Sequence, residues 1–200
     1  QDHPDIPFEH IPIPGTIHSS QVNDIIQDHH GLIWAAGDGL FRYDGYKFTT
    51  YKNISPDQSI GGKEITCMLA DKNSNKLLLG THSYGLVEYD YATDNFRIIP
   101  SKGGIPIISL IAKTSDGTVW VGSFSNGLYY LENDSLRKLD DPKHRYNNPT
   151  SLLAIGNKLW VDKLKSVFVL EKGKLLDTLN IAFENFDFPV TTRISTMTYD

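Results

Sequence analysis

The 200-residue chain holds a single cysteine, Cys67, and two methionines. One thiol can make neither an internal disulfide nor a thiolate metal cluster. Flanked closely by Ile65 and Met68, Cys67 reads as a buried, inert strand residue. Basic residues are also scarce: 19 Lys and Arg stand against 24 Asp and Glu, a formal charge of −5, and no basic block occurs. Phosphate binding needs a positive footprint, so nucleic acid is excluded as a partner. Neutral ligands such as sugars are not. No apolar run approaches the ~20 residues that a membrane helix needs. No secretory leader is recognisable. An opening on Gln1 rather than Met fits an exported chain whose leader was removed, or simply a trimmed chain.

What is present is repetition. GLIWAAGDGLFRYDGYKF begins at Gly31, KLLLGTHSYGLVEYDYATDNF at Lys76, TVWVGSFSNGLYYLENDSL at Thr118 and KLWVDKLKSVFVLEKGKL at Lys158. One landmark position falls at Trp34, Leu78, Trp120 and Trp160, in steps of 44, 42 and 40 residues. A strand-rich repeat of this length, punctuated by turn glycines, predicts an all-β propeller in which each repeat is one small sheet. Each sheet has two faces to bury, so it must stack on neighbours.

Each repeat divides into four strands. In the first, VNDIIQD is followed by the turn DHHG, the apolar run LIWAA, the reversal GDG, the alternating LFRYD, and KFTTY. A near-continuous apolar run suits a strand covered on both faces, and Asp44–Gly45 is a hairpin dipeptide. His29 and His30, adjacent in a tight turn, are expected to point apart. The repeats span residues 21–63, 64–105, 106–149 and 150–192. Residues 193–200 (RISTMTYD) read as the first strand of a fifth, so the chain is expected to be part of a larger, seven-bladed ring rather than a strained four-bladed one. Residues 1–20 form an extension in which residues 8–13 (FEHIPI) are a candidate closing strand. Trp34, Leu78, Trp120 and Trp160 are expected to be structural wedges between blades. Leucine in the second unit argues against a sugar-stacking platform there.

The stretch from His18 to Asn53 resembles the regulator-propeller repeats of bacterial two-component sensors. The resemblance rests on Val22, Ile25, Ile26, Asp28, Gly31, Trp34, Gly39–Leu40, Arg42–Tyr43–Asp44–Gly45 and Phe48. Units two and three keep the glycine after the landmark (Gly80, Gly122) and the Gly–Leu pair (Gly85–Leu86, Gly127–Leu128). Unit one has Ala36 in place of the first glycine. Unit four has Asp162 there and Ser166–Val167 in place of Gly–Leu. The resemblance implies the periplasmic sensor region of a hybrid histidine kinase whose catalytic domain lies outside these residues. Such sensors respond to polysaccharide breakdown products and regulate the genes that use them. It implies an oligosaccharide or other small ligand, a second propeller or β-sandwich domain in the same parent, and a homodimer as a further option. No cofactor is expected.

Candidate catalytic carboxylates (Asp38, Asp44, Glu64, Asp90, Glu132, with Asp57 in a long loop) sit mostly at equivalent turn positions, where aspartate serves the turn itself. No histidine spacing suggests zinc. TSDGTVW, from Thr114, is similar to the Asp-box turn of sialidase propellers, a structural motif. Long loops join consecutive repeats, and long loops on a rigid scaffold are where binding concentrates. The turns that share their face supply Asp38, His82, Tyr84, Phe124, Asn126 and Lys163, a mixture suited to stacking and hydrogen bonding with sugars. Two other readings stand beside the sensor: a secreted propeller enzyme, such as a streptogramin-type lyase or a glycosidase, and a protein-interaction scaffold. The scaffold reading lacks the Gly-His and Trp-Asp landmarks of tryptophan–aspartate repeats.

Overall fold

A computed structural model describes residues 22–37, 39–54, 65–102, 104–163 and 166–180. Expectations placed on Asp38, Asp57, Glu64, residues 8–13 and residues 193–200 fall outside them.

Every described element is a β-strand, and the strands form four antiparallel meanders. Sheet 1 contains β1 (Asp24–Gln27), β2 (Ile33–Ala36), β3 (Leu40–Tyr43) and β4 (Phe48–Tyr51). Sheet 2 contains β5 (Ile65–Asp71), β6 (Lys76–Thr81), β7 (Leu86–Asp90) and β8 (Asn95–Ile98). After β9 (Ser101–Lys102), sheet 3 runs through β10 (Ile108–Lys113), β11 (Val119–Ser123), β12 (Gly127–Glu132) and β13 (Ser135–Lys138). Sheet 4 contains β14 (Ser151–Ile155), β15 (Lys158–Lys163), β16 (Ser166–Glu171) and β17 (Lys174–Asn180). Among the described residues, the sheets stack in sequence, their first strands neighbouring one another, and do not close into a ring.

The repeat is a repeat of register. Trp34 lies opposite Ile26 and Arg42, Leu78 opposite Leu69 and Glu88, Trp120 opposite Ala112 and Tyr130, and Trp160 opposite Leu153 and Val169. Side chains alternate along a strand, so each second strand feeds two interfaces. Leu77 and Leu79 join Trp34, Leu40 and Tyr89 between sheets 1 and 2. Leu78 turns the other way, to Val119, Val121 and Tyr129. Trp120 packs with Leu159, Val161 and Phe168 of sheet 4. Hence the second strands are apolar on both faces, as their sequence predicts; β11 is buried throughout.

Trp34 (0% exposed), Leu78 (2%) and Trp120 (4%) are the expected wedges. Trp160 is only half-buried. It points away from sheet 3, where no described sheet follows.

Two features differ from the sequence reading. The linker after sheet 2 contains β9, which adds to the outer strand β13 in parallel, pairing Ser101 with Leu136 and Lys102 with Arg137. An outer strand offers unpaired backbone groups, and the passing chain takes them up. His29 and His30 do not point apart. Both Nε2 atoms lie against Asn75 Oδ1, at 2.9 and 3.0 Å, with ring centroids 4.0 Å apart. A turn of the neighbouring sheet supplies an acceptor that local geometry does not reveal.

The turn aspartates do turn work. Asp44 Oδ1 accepts from the backbone N–H groups of Tyr46 and Lys47, and Asp90 Oδ1 from that of Ala92. Asp116, in the box-like TSDGTVW, accepts from the Thr118 N–H and the Thr114 hydroxyl.

Candidate functional site

On one face of the stack, the turn between the second and third strands of a sheet leans on the loop leaving that sheet. A Cβ placed on Gly85 would sit 3.4 Å from Ile105, and one on Gly127 would sit 3.2 Å from Asn147 Oδ1. Both glycines have positive φ (+73° and +87°), a conformation that favours glycine. The short turn can therefore press against the loop without a side chain intervening.

At the second of these contacts lies a cleft of about 370 Å³. Leu128, Leu139 and Tyr146 supply apolar lining; Asn126, Lys138, Asp140, Asp141, His144 and Asn147 supply polar groups. Its outer wall is the loop DDPKHRYNNP, and Asp141 organises that loop. Its Oδ1 accepts from Arg145 Nε at 3.1 Å, its Oδ2 from the Tyr146 N–H at 2.9 Å, and its backbone carbonyl from the His144 N–H at 2.9 Å. Tyr146 is buried to 2% and meets Phe168 edge-on, with centroids 5.4 Å apart. Burial, the largest influence, pushes its phenol above the ordinary range. The loop thus carries an anchor sunk into the core between sheets 3 and 4. On its far side, Lys163 Nζ donates to the His144 carbonyl at 3.0 Å.

The structure brings two of the sequence-predicted residues to this place. Asn126 lines the cleft, and Lys163 braces its wall. Phe124 stands on the same turn as Asn126, 61% exposed. His82 and Tyr84 belong to the corresponding turn of sheet 2. His82 is exposed beside Ser83, while Tyr84 is half-buried against the core between sheets 1 and 2. Neither is among the described residues lining the cleft, and Asp38 lies outside the described residues. Lys138, Asp140, Asp141, His144 and Asn147 were not singled out by sequence. The available signal was the four-residue spacing of Asp141 and Arg145 in a long polar loop.

Chemically, the cleft offers amides, an ammonium, carboxylates and an imidazole above an apolar floor. Among the described residues, no cluster of three or more His, Cys, Asp or Glu side chains could hold a metal ion.

No family model matches the chain, and no curated protein is significantly similar to it. Solved structures are similar. The extracellular domain of BT3049 from B. thetaiotaomicron, assigned as a hybrid two-component system, superposes with a TM-score of 0.65 at 22% identity over 81% of this chain and 24% of its own. That of BT4673 from the same organism gives 0.65 at 23% identity over 88% of this chain and 23% of its own. A catalytically inactive virginiamycin B lyase from Staphylococcus aureus, with quinupristin, gives 0.69 at 15% identity over 86% and 59%. The chain thus spans about a quarter of the extracellular domains that it matches. The fold is theirs: four-stranded antiparallel sheets stacked as propeller blades.

Proposed function

We propose that the chain is part of the periplasmic sensing region of a two-component histidine kinase, and that it contributes to recognition of a short oligosaccharide released from a polysaccharide. The observation that carries this reading is the fold shared with the extracellular domains of two hybrid two-component systems, at 22% and 23% identity. The cleft beside Asn126 supports a carbohydrate ligand: hydroxyl groups need donors and acceptors placed around an apolar surface, and both are present. A ligand shifts a sensor only if it binds one arrangement better than another. Stacked sheets with apolar interfaces favour movement between domains of the parent over movement within a sheet.

The test is calorimetric titration of the protein with di- to hexasaccharides of glucose, galactose, mannose, xylose and arabinose. One series should bind, and Asn126→Ala should weaken it about tenfold, the worth of one hydrogen bond of about 1.4 kcal/mol. Binding untouched by Asn126→Ala would move the site elsewhere. Turnover of any sugar would replace the sensor reading with the secreted-enzyme one.

A further inference from the structure

The first turns of sheets 1 and 2 meet at one atom. His29 and His30 lie between β1 and β2, and Asn75 lies between β5 and β6. Asn75 Oδ1 stands 2.9 Å from His29 Nε2 and 3.0 Å from His30 Nε2. The turn brings both imidazoles to one side, with ring centroids 4.0 Å apart. Both histidines are exposed and Asn75 is half-buried. Two ring nitrogens and an amide oxygen therefore converge on one point at the surface.

As hydrogen bonds, these contacts need both Nε2 atoms to carry protons, and one amide oxygen accepts both with its two lone pairs. With the protons on Nδ1 instead, the same three atoms become a donor set for a divalent transition-metal ion, since imidazole suits zinc, copper and nickel. The exchange is between tautomers of neutral imidazole, so the net charge of the side chains does not change. Zinc holds a ring nitrogen at about 2.1 Å, so its ligands stand about 3.0 Å apart at right angles and about 3.4 Å apart at the tetrahedral angle. The separations of 2.9 and 3.0 Å match the first arrangement. They reach the second by widening about 0.5 Å, within the play of exposed side chains.

The backbone holds these donors in place. Asp28 Oδ1 accepts from the N–H groups of His30 and Leu32, which fixes the turn of sheet 1. In sheet 2 the Asn75 N–H donates to the Lys72 carbonyl at 3.4 Å. Asn75 itself has a φ of +53°, a left-handed conformation that asparagine tolerates. The Tyr91 ring flanks both imidazoles, with centroids 5.4 Å from His29 and 4.9 Å from His30. A cation arriving here finds its ligands already gathered, which lowers the ordering cost of binding.

We propose that His29, His30 and Asn75 form a site for a divalent transition-metal ion of the zinc class, with water completing its shell. The ion clamps the first turn of sheet 1 to that of sheet 2. Its effect reaches the wedge between those sheets through Asp28, which also accepts from Trp34 Nε1. Antiparallel strands put these turns at the ends opposite the turn that carries Asn126, so the site is separate from the cleft. The third donor is an amide, outside the usual His, Cys, Asp and Glu ligands of zinc. A neutral amide attracts a cation less than a carboxylate does, and this gives the test its handle.

Calorimetric titration of the full chain with zinc chloride tests this, at a pH of about 7.5, above the ordinary imidazole value of about 6.5. Zinc should bind. Replacing both histidines, His29→Ala with His30→Ala, should weaken binding at least about tenfold, as losing metal ligands does. Asn75→Asp supplies an anionic ligand at the same place and should tighten binding at least about tenfold. Failure to bind zinc, or binding that the double variant leaves unchanged, would overturn the proposal. Should the double variant not fold, Asn75→Asp decides by itself: tighter binding supports the site, and unchanged or weaker binding overturns it.

Discussion

The indole Nε1 of Trp34 donates to Asp28 Oδ2 over 2.7 Å. The other oxygen of the same carboxylate accepts from the backbone N–H groups of His30 and Leu32, at 2.9 and 3.0 Å. One side chain therefore ties the first turn of sheet 1 to the wedge between sheets 1 and 2. Asp71 holds the same place in sheet 2, where the wedge is Leu78 and offers no donor. Its carboxylate serves its own turn through Asn73 and Ser74 and reaches Lys113 of sheet 3 instead. Equivalent residues thus bind sheets together by different chemistry.

Trp34 stacks near Tyr51 and meets Tyr89 edge-on, with centroids 5.6 and 5.1 Å away. Trp34→Ala should cost about 3–5 kcal/mol, the usual range for emptying a buried aromatic site. Trp160→Ala should cost less than half as much, because that ring is already half-exposed in the described structure. Urea unfolding of both variants checks the ranking, and equal losses would contradict it.

Asp28 also sets an acid limit. Burial acts to raise its pKa, but hydrogen bonds from Trp34, Leu32 and His30 outweigh burial and hold the carboxyl below its ordinary 3.8. A folded value below the unfolded one gives stability that is complete above the unfolded value and is lost as pH falls through the folded value. Asp28→Asn should therefore lower stability at neutral pH and flatten its decline below about pH 4. Acid titrations followed by tryptophan fluorescence would show this as a shallower curve.

Gly80 is where a methyl group would do most damage. An added Cβ would lie 2.5 Å from both Cys67 Sγ and Ile108 Cγ2, whereas at Gly122 the nearest atoms are 3.1 Å away. Gly80→Ala should cost at least about 1–3 kcal/mol, as overpacking does, and more than Gly122→Ala. Thermal unfolding of the two variants side by side distinguishes them; a tolerated Gly80→Ala would mean that the sheets can part there.

Cys67 is half-buried rather than fully buried, and its thiol should react slowly in the native protein. Burial, the dominant influence, pushes its thiol up to about 12. Because the folded value is raised, the unfolded chain gives up its proton first. The stability tied to this group is intact below about pH 9 and declines from there to about pH 12. Thiol labelling at pH 8 should be much slower in the native protein than in the urea-unfolded chain, and equal rates would refute this.

By itself, the sequence determined the repeat, the four-strand unit, the wedge at Trp34, Leu78 and Trp120, and the turn roles of Asp44 and Asp90. These follow from alternation, apolar runs and turn chemistry, which act within about forty residues. It also offered the loop face and Asn126 as candidates for binding. Only the tertiary structure decided that Tyr146 sinks between sheets 3 and 4, so that its loop walls a cleft, that His29 and His30 share Asn75, that β9 joins β13, and that Asp162 keeps an oxygen without a partner among the described residues. Each of these depends on atoms brought together from different repeats. The period of a strand dictates which face a residue takes, but not what the next sheet places against it.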